Sequence, residues 1–164
     1  MRTASILGLI SDTHGLLRPE ALTALQRSDL IIHAGDVGKP EILDQLRSIA
    51  PVVAIRGNID KGAWADELQP TAVVEAQSAR IYVIHDVKQL DLNPPPAGIN
   101  IVISGHSHKP GQSKCSGVLY INPGSAGPRR FRLPITVARL DLGVLPWNVE
   151  FIPIGWHSNR SVRT

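Results

Sequence analysis

Residues 5–10, 30–32, 52–55, 81–84 and 99–103 are short apolar runs bounded by polar or turn-forming residues, the length and composition of buried strands. Between the first three, Pro19 opens a segment in which Ala21, Leu22 and Leu25 recur at helical spacing. Pro40 opens another over residues 41–50, where Ile42, Leu43, Leu46, Ile49 and Ala50 share one face. Proline at a first-turn position gives up only an N–H that would lack a helical partner anyway. Strand, helix, strand, helix, strand predicts a doubly wound α/β arrangement. Beyond residue 70 alternation replaces helical periodicity, and residues 72–76, 81–85, 118–122, 135–142 and 147–154 read as strands of a second sheet packed on the first. Pro94, Pro95 and Pro96 exclude a long helix from residues 87–98, which read as a loop over the site or a short helix followed by an extended turn. Residues 155–164 are polar and aperiodic and are expected to form a frayed tail.

At 164 residues the chain suits one domain, residues 1–164, able to bury roughly two-thirds of its unfolded surface. The single cysteine, Cys115, rules out an internal disulfide and fits a reduced, cytoplasmic protein. The first apolar run is too short for a signal peptide, and no run is long enough to span a membrane. The net charge of +3 suits phosphate-bearing substrates without the dense basic stripe of a nucleic-acid binder.

The strand ends carry the chemistry. The five apolar runs lead, in order, to Asp12-Thr13-His14, Gly35-Asp36, Gly57-Asn58, His85 and Gly105-His106-Ser107-His108. In an open α/β sheet, residues just past the carboxyl ends of the strands converge on one crevice. Seven nitrogen and oxygen donors there make a metal site. A lone donor after one strand is an ordinary cap or turn residue, but five strands in a row, three with glycine directly before the donor, point to a built site. Two octahedral ions need about twelve positions. Seven side chains with one carboxylate shared, plus a bridging hydroxide, fill about ten and leave about two for substrate oxygens, the layout of a two-metal hydrolase. In an extended segment His106 and His108 would face the same way and serve one ion or straddle two.

These motifs, with Asn122-Pro123-Gly124-Ser125 after them, resemble those of the calcineurin-like metallophosphoesterases, and within them the small bacterial and archaeal phosphodiesterases. The resemblance runs from about residue 5 to 154. It implies a four-layer α/β/β/α sandwich of two mixed sheets flanked by helices. It implies two divalent transition-metal ions, with Asp12, His14, Asp36 and His108 on the first and Asp36, Asn58, His85 and His106 on the second, Asp36 bridging. Manganese is the first choice, with iron, nickel or zinc also compatible with a donor set that lacks soft sulfur. The activity implied is hydrolysis of a small phosphodiester or nucleotide-like substrate by a metal-bridging hydroxide, with Asp36, Asn58, His85 and His106 at the catalytic centre and Asn58 touching a phosphate oxygen. A homo-oligomer is compatible with it. The alternative is a protein-binding scaffold on the same fold, as in the small subunit of the retromer coat; a complete set of competent donors favours the enzyme.

Three departures mark this chain. Ile59 stands where many relatives carry a candidate general-acid His, Asp86 follows His85 where Gly is common, and only thirteen residues separate His85 from Ile99, fewer than the usual helix needs. Other residues carry two readings each. Arg56 is a phosphate donor or a structural ion pair, and Arg129, in Arg129-Arg130-Phe131-Arg132, is a phosphate contact or part of a solvated loop. Ser125 shapes the Pro-Gly turn or touches substrate, His33 is a hydrogen-bonded core histidine in preference to a ligand, and Asp60 is a proton donor only with a raised pKa, which two nearby cations oppose.

Overall fold

Parallel strands alternating with helices build the first half of the molecule, as the apolar pattern requires. The computed structural model describes residues 4–155, so most of the expected tail lies outside the described residues. Strand β1 (Ile6–Ile10) leads to helix α1 (Pro19–Ala24), β2 (Leu30–His33), α2 (Pro40–Arg47), β3 (Val52–Ala54) and a short helix α3 (Ala63–Asp66). The second half is nearly all strand: β4 (Thr71–Ala76), β5 (Ala79–Ile84), β6 (Ile101–Ile103), β7 (Gly111–Cys115), β8 (Val118–Asn122), β9 (Thr136–Asp141) and β10 (Asn148–Pro153).

Two mixed five-stranded sheets result, in the orders β10-β9-β1-β2-β3 and β4-β5-β6-β8-β7. In the first, β1, β2 and β3 are parallel, β9 runs antiparallel to β1, and β10 runs antiparallel to β9. In the second, β5, β6 and β8 are parallel and β4 and β7 close the edges antiparallel. The sheets pack face to face through Leu7, Leu9, Ile32, Ile81, Ile101 and Ile103, all fully buried. A buried aliphatic side chain of this size contributes about 1.5–3 kcal/mol, so this seam is the main cohesive surface.

The outer face of the first sheet is covered by α1 and α2 through Ala21, Leu25, Ile42 and Leu46. Among the described residues, the outer face of the second is covered by residues 87–99: one 3-10 turn, Val87–Gln89, and a loop bring Leu90, Leu92 and Ile99 onto Tyr82 and Val102. The outermost helical layer is therefore reduced to a single turn on that side, as the short spacing and the three prolines require. Two elements have no counterpart in the sequence pattern. Strand β7 is exposed at every position and is held by backbone pairing to β8, and α3 is too short to show a period. No helix among the described residues is long and apolar enough to cross a membrane.

Candidate metal centre

Five of the seven expected donors form one tight cluster. Nε2 of His14 lies 3.4 Å from Oδ2 of Asp36 and 3.8 Å from Oδ1 of Asp12; Nε2 of His85 lies 3.3 and 3.8 Å from the same two oxygens. Nε2 of His108 lies 3.4 Å from Asp12 Oδ1. Two triads follow, Asp12-His14-His108 and Asp12-Asp36-His85, each with its donor atoms within 4.8 Å of one another. The other two donors sit at the rim. His106 sets its ring 5.2 Å from that of His85 and turns Nε2 towards Asp86 Oδ2 at 3.8 Å, while Asn58 is exposed in a cleft beside His85.

The local backbone explains how neighbouring donors aim at one point. Asp12, His14, Asp36, His106 and His108 all have left-handed conformations, with φ between 48° and 68°. Such residues are uncommon outside glycine and cost about 1–3 kcal/mol each, so the strands end in sharp reversals that surrounding bonds must hold. The extended geometry expected for the His-x-His segment is thus corrected: Ser107 N–H donates back to the Gly105 carbonyl at 2.8 Å, and the two histidines diverge, one to each side of the cluster. Gly57 and Gly105 are glycine for space, because a Cβ at either would collide with Asp36 or with Ser11 and Asp12.

Asp12, Asp36 and His85 each have one side-chain atom tied down by a hydrogen bond and another turned to the cluster. Asp12 Oδ2 accepts from the Ser11 hydroxyl at 2.7 Å and from His106 N–H at 3.1 Å, while its Oδ1 is buried without a hydrogen-bond partner. Asp36 Oδ1 accepts from Ile59 N–H at 3.1 Å, leaving Oδ2 to face the histidines. His85 donates Nδ1–H to the Ala34 carbonyl at 2.7 Å, which fixes its tautomer and leaves Nε2 as a buried lone pair with no partner. Nε2 of His14 is likewise buried and unpartnered. Buried polar atoms are seldom left unsatisfied. Three that face each other, two imidazole nitrogens and one carboxylate oxygen, fit a divalent cation and no hydrogen-bond scheme among themselves.

The electrostatics agree. Burial raises the pKa of Asp12, but contacts from His108, His14 and Ser11 outweigh it and hold the carboxyl below its ordinary range. Asp36 is lowered in the same way, burial opposing and His85 and Ile59 N–H prevailing. Burial lowers His85, yet Asp36 and the Ala34 carbonyl raise it on balance. Both carboxylates are thus held in the form that binds metal.

Several bracing residues are visible only in three dimensions. His33 is fully buried, as expected of a core histidine; it accepts from Gly35 N–H at Nδ1 and donates Nε2–H to Thr13 Oγ1, which in turn donates to the Val37 carbonyl. That chain ties the loop of Asp12 and His14 to the loop of Asp36. Asp60 accepts from Gly57, Val37 and Gly38 N–H at 2.8, 3.2 and 2.9 Å, clamping the Asp36 and Asn58 loops together. Asn122 donates to the Gly105 carbonyl and to Ser107 Oγ, steadying the two histidines. Ser125, read as shaping the Pro-Gly turn or touching substrate, is buried, and its hydroxyl donates to the Asp12 carbonyl and accepts from Gly127 N–H. Arg56 Nη1 lies 3.9 Å from Asp66 and also lines the cleft beside Asn58, and Arg129 is on an exposed loop that leaves this stem.

Residues 6–143 match the family model for the calcineurin-like phosphoesterase superfamily domain. The chain belongs to that family. It is 35% identical over 149 residues to a protein of Methanothermobacter thermautotrophicus named as a probable metallophosphoesterase, covering 83% of this chain and 86% of that one. Among solved structures it superposes on a novel archaeal phosphodiesterase with a TM-score of 0.75 at 22% identity, over 90% of this chain and 99% of that one. It superposes on Vps29 of Chaetomium thermophilum with a TM-score of 0.73 at 19% identity, over 91% and 97%. The two structural likenesses establish the fold, and the family of this chain is that of metallophosphoesterases.

Proposed function

We propose that this metallophosphoesterase is a phosphodiesterase working with two divalent ions, manganese being the natural first choice. The observation that carries the reading is the convergence of the unpartnered Asp12 Oδ1, His14 Nε2 and His85 Nε2 on one buried point. Asp12, His14, Asp36 and His108 would hold one ion, and Asp36, His85, Asn58 and His106 the other. Asp36 is the better bridge than Asp12, because its Oδ2 lies 3.4 and 3.3 Å from His14 and His85, whereas Asp12 Oδ1, 3.8 Å from both, lies nearest His108.

Ions bound there would supply a water of near-neutral pKa and draw charge from the phosphoryl oxygens. The residues do the rest. Ser11, His106 N–H and Ile59 N–H keep the carboxylates from rotating, so the donor geometry is set before substrate arrives. The exposed Asn58 amide would donate to a phosphate oxygen. Ile59, 43% exposed beside it, has no proton to give, which favours esters whose alcohol departs as a stable anion. Asp86 adds a negative charge at the rim, which disfavours a dianionic monoester relative to a singly charged diester.

The test is hydrolysis of bis(p-nitrophenyl) phosphate and p-nitrophenyl phosphate by manganese-loaded protein. A higher kcat/KM on the diester, abolished by chelation, is expected. Preference for the monoester would overturn the diesterase assignment.

A further inference from the structure

Between Pro128 and Pro134 the chain leaves the body of the molecule as a loop, exposed from residue 128 to residue 132. Its base is well fixed. Gly127 N–H donates to Ser125 Oγ at 3.3 Å, the Gly127 carbonyl accepts from Arg18 Nη2 at 3.4 Å, and a Cβ at Gly127 would collide with the carbonyl oxygens of Asp12 and Thr13. On the returning side Thr136 N–H donates to the Ser125 carbonyl at 2.9 Å. The tip is a turn closed by Leu133 N–H on the Arg130 carbonyl at 3.2 Å, with Phe131 at its corner in a left-handed conformation, φ 53°. Four residues of chain reach at most about 14 Å, so Phe131 stands within that distance of Gly127.

The tip displays an aromatic ring among cations. Phe131 is 92% exposed, more than any other large apolar residue among those described. Arg130 and Arg132, on either side of it, are exposed and form no ion pair with a described residue. Of the 17 Lys and Arg in the chain three are in this loop, and the other 14 match the 14 Asp and Glu, so the loop carries as much charge as the net +3 of the whole molecule. No Asp or Glu occurs between Asp91 and Asp141 to offset it locally.

Two kinds of anionic surface attract such a tip, and the state of the ring separates them. A nucleic-acid base stacks on an aromatic side chain that the protein holds in place, within a groove of cations that follows the phosphate backbone. Phe131 is left bare by the protein, and its cations are confined to one turn. A lipid interface instead takes up the whole ring while neighbouring arginines meet the headgroup phosphates. A bulky residue at positive φ is uncommon and costs free energy; here that conformation sets the ring at the outermost corner of the turn.

We propose that the loop of residues 128–134 docks the protein reversibly on an anionic lipid surface, with Phe131 entering the boundary between headgroups and acyl chains and Arg130 and Arg132 on lipid phosphates. The inference stands apart from the phosphodiesterase reading, since it needs neither metal nor turnover. Each arginine near such a surface contributes about fivefold in affinity, and burial of the ring about tenfold or more.

The experiment is cosedimentation of the full-length protein with vesicles of phosphatidylcholine alone and of phosphatidylcholine and phosphatidylglycerol in equal parts, beside the anisotropy of a fluorescent oligothymidylate. Binding to the mixed vesicles is expected, weakened by salt and at least about 20-fold weaker on phosphatidylcholine alone. An Arg130→Gln, Arg132→Gln double variant should bind about 20-fold more weakly, and Phe131→Asn about tenfold. Asparagine tolerates the left-handed conformation, so the turn persists, and an unchanged Tm checks this. Absence of binding to the mixed vesicles overturns the inference. So does undiminished binding of Phe131→Asn, which would reduce the contact to adsorption by charge. Oligothymidylate binding that depends on Phe131, without vesicle binding, would assign the loop to single-stranded nucleic acid and overturn the lipid surface.

Discussion

His85 Nε2 stands 3.3 Å from Asp36 Oδ2, with its Nδ1–H committed to the Ala34 carbonyl. In the neutral ring the second bond leaves the first nitrogen a lone pair, and the same Asp36 oxygen lies 3.4 Å from His14. Asp36→Ala removes the carboxylate oxygen that lies closest to both His14 and His85. Activity should fall more than about 100-fold, and elemental analysis should find less than one ion per chain under conditions that load the native protein. Undiminished metal content would remove Asp36 from the bridging position.

His33 gives a pH signature to the metal-free protein. Burial lowers its pKa from 6.5 to about 4. Between those values the unfolded chain takes up a proton that the folded chain refuses, so stability is full above pH 6.5 and falls as the pH drops. The difference amounts to about 3 kcal/mol at pH 4. His85, whose pKa is raised, contributes with the opposite sign, so the comparison must be between native protein and His33→Asn. The variant should show a flatter Tm between pH 7 and 5. Equal slopes would mean that the ring is protonated in the folded state.

Asp60 is expected to matter for stability more than its position after Asn58 suggests. Asp60→Ala strands three backbone N–H groups at Gly57, Val37 and Gly38. The cost should be on the order of 3 kcal/mol in urea denaturation, with weaker metal binding because the loops of Asp36 and Asn58 lose their common anchor. A loss below about 1 kcal/mol would show that water replaces the carboxylate.

Ile59 sets leaving-group preference. A positioned general acid contributes about 10²–10⁴-fold when the departing oxygen needs a proton, and aryl esters need it least. Ile59→His should speed alkyl diesters more than aryl diesters, read as kcat/KM at equal metal content. Equal effects on both, or high native activity on alkyl diesters, would mean that another group already delivers the proton.

The sequence displays the strand ends because each strand is a continuous apolar run and each donor follows it within a few residues, as at Ile10 and Asp12 or Ile84 and His85. What it hides is the hydrogen bonding between loops distant along the chain. The pairing of Asn122 with Gly105 and Ser107 spans 17 and 15 residues, and Ser125 reaches Asp12 across 113, so no local pattern announces either. The left-handed conformations of His106 and His108 are hidden too, since non-glycine residues there are imposed by tertiary contacts. β7 escapes notice because its Gly-Gln-Ser-Lys-Cys sequence buries nothing and is a strand only because β8 lies beside it.

The central claim, a centre of two ions assembled from the ends of five strands, is tested most directly by titrating metal-free protein with manganese. Ions bound per chain and hydrolysis of bis(p-nitrophenyl) phosphate are followed in the same samples. The account predicts a plateau at two ions per chain, with activity rising as the second site fills. A chain that binds no ion, or that reaches full activity without one, would contradict it.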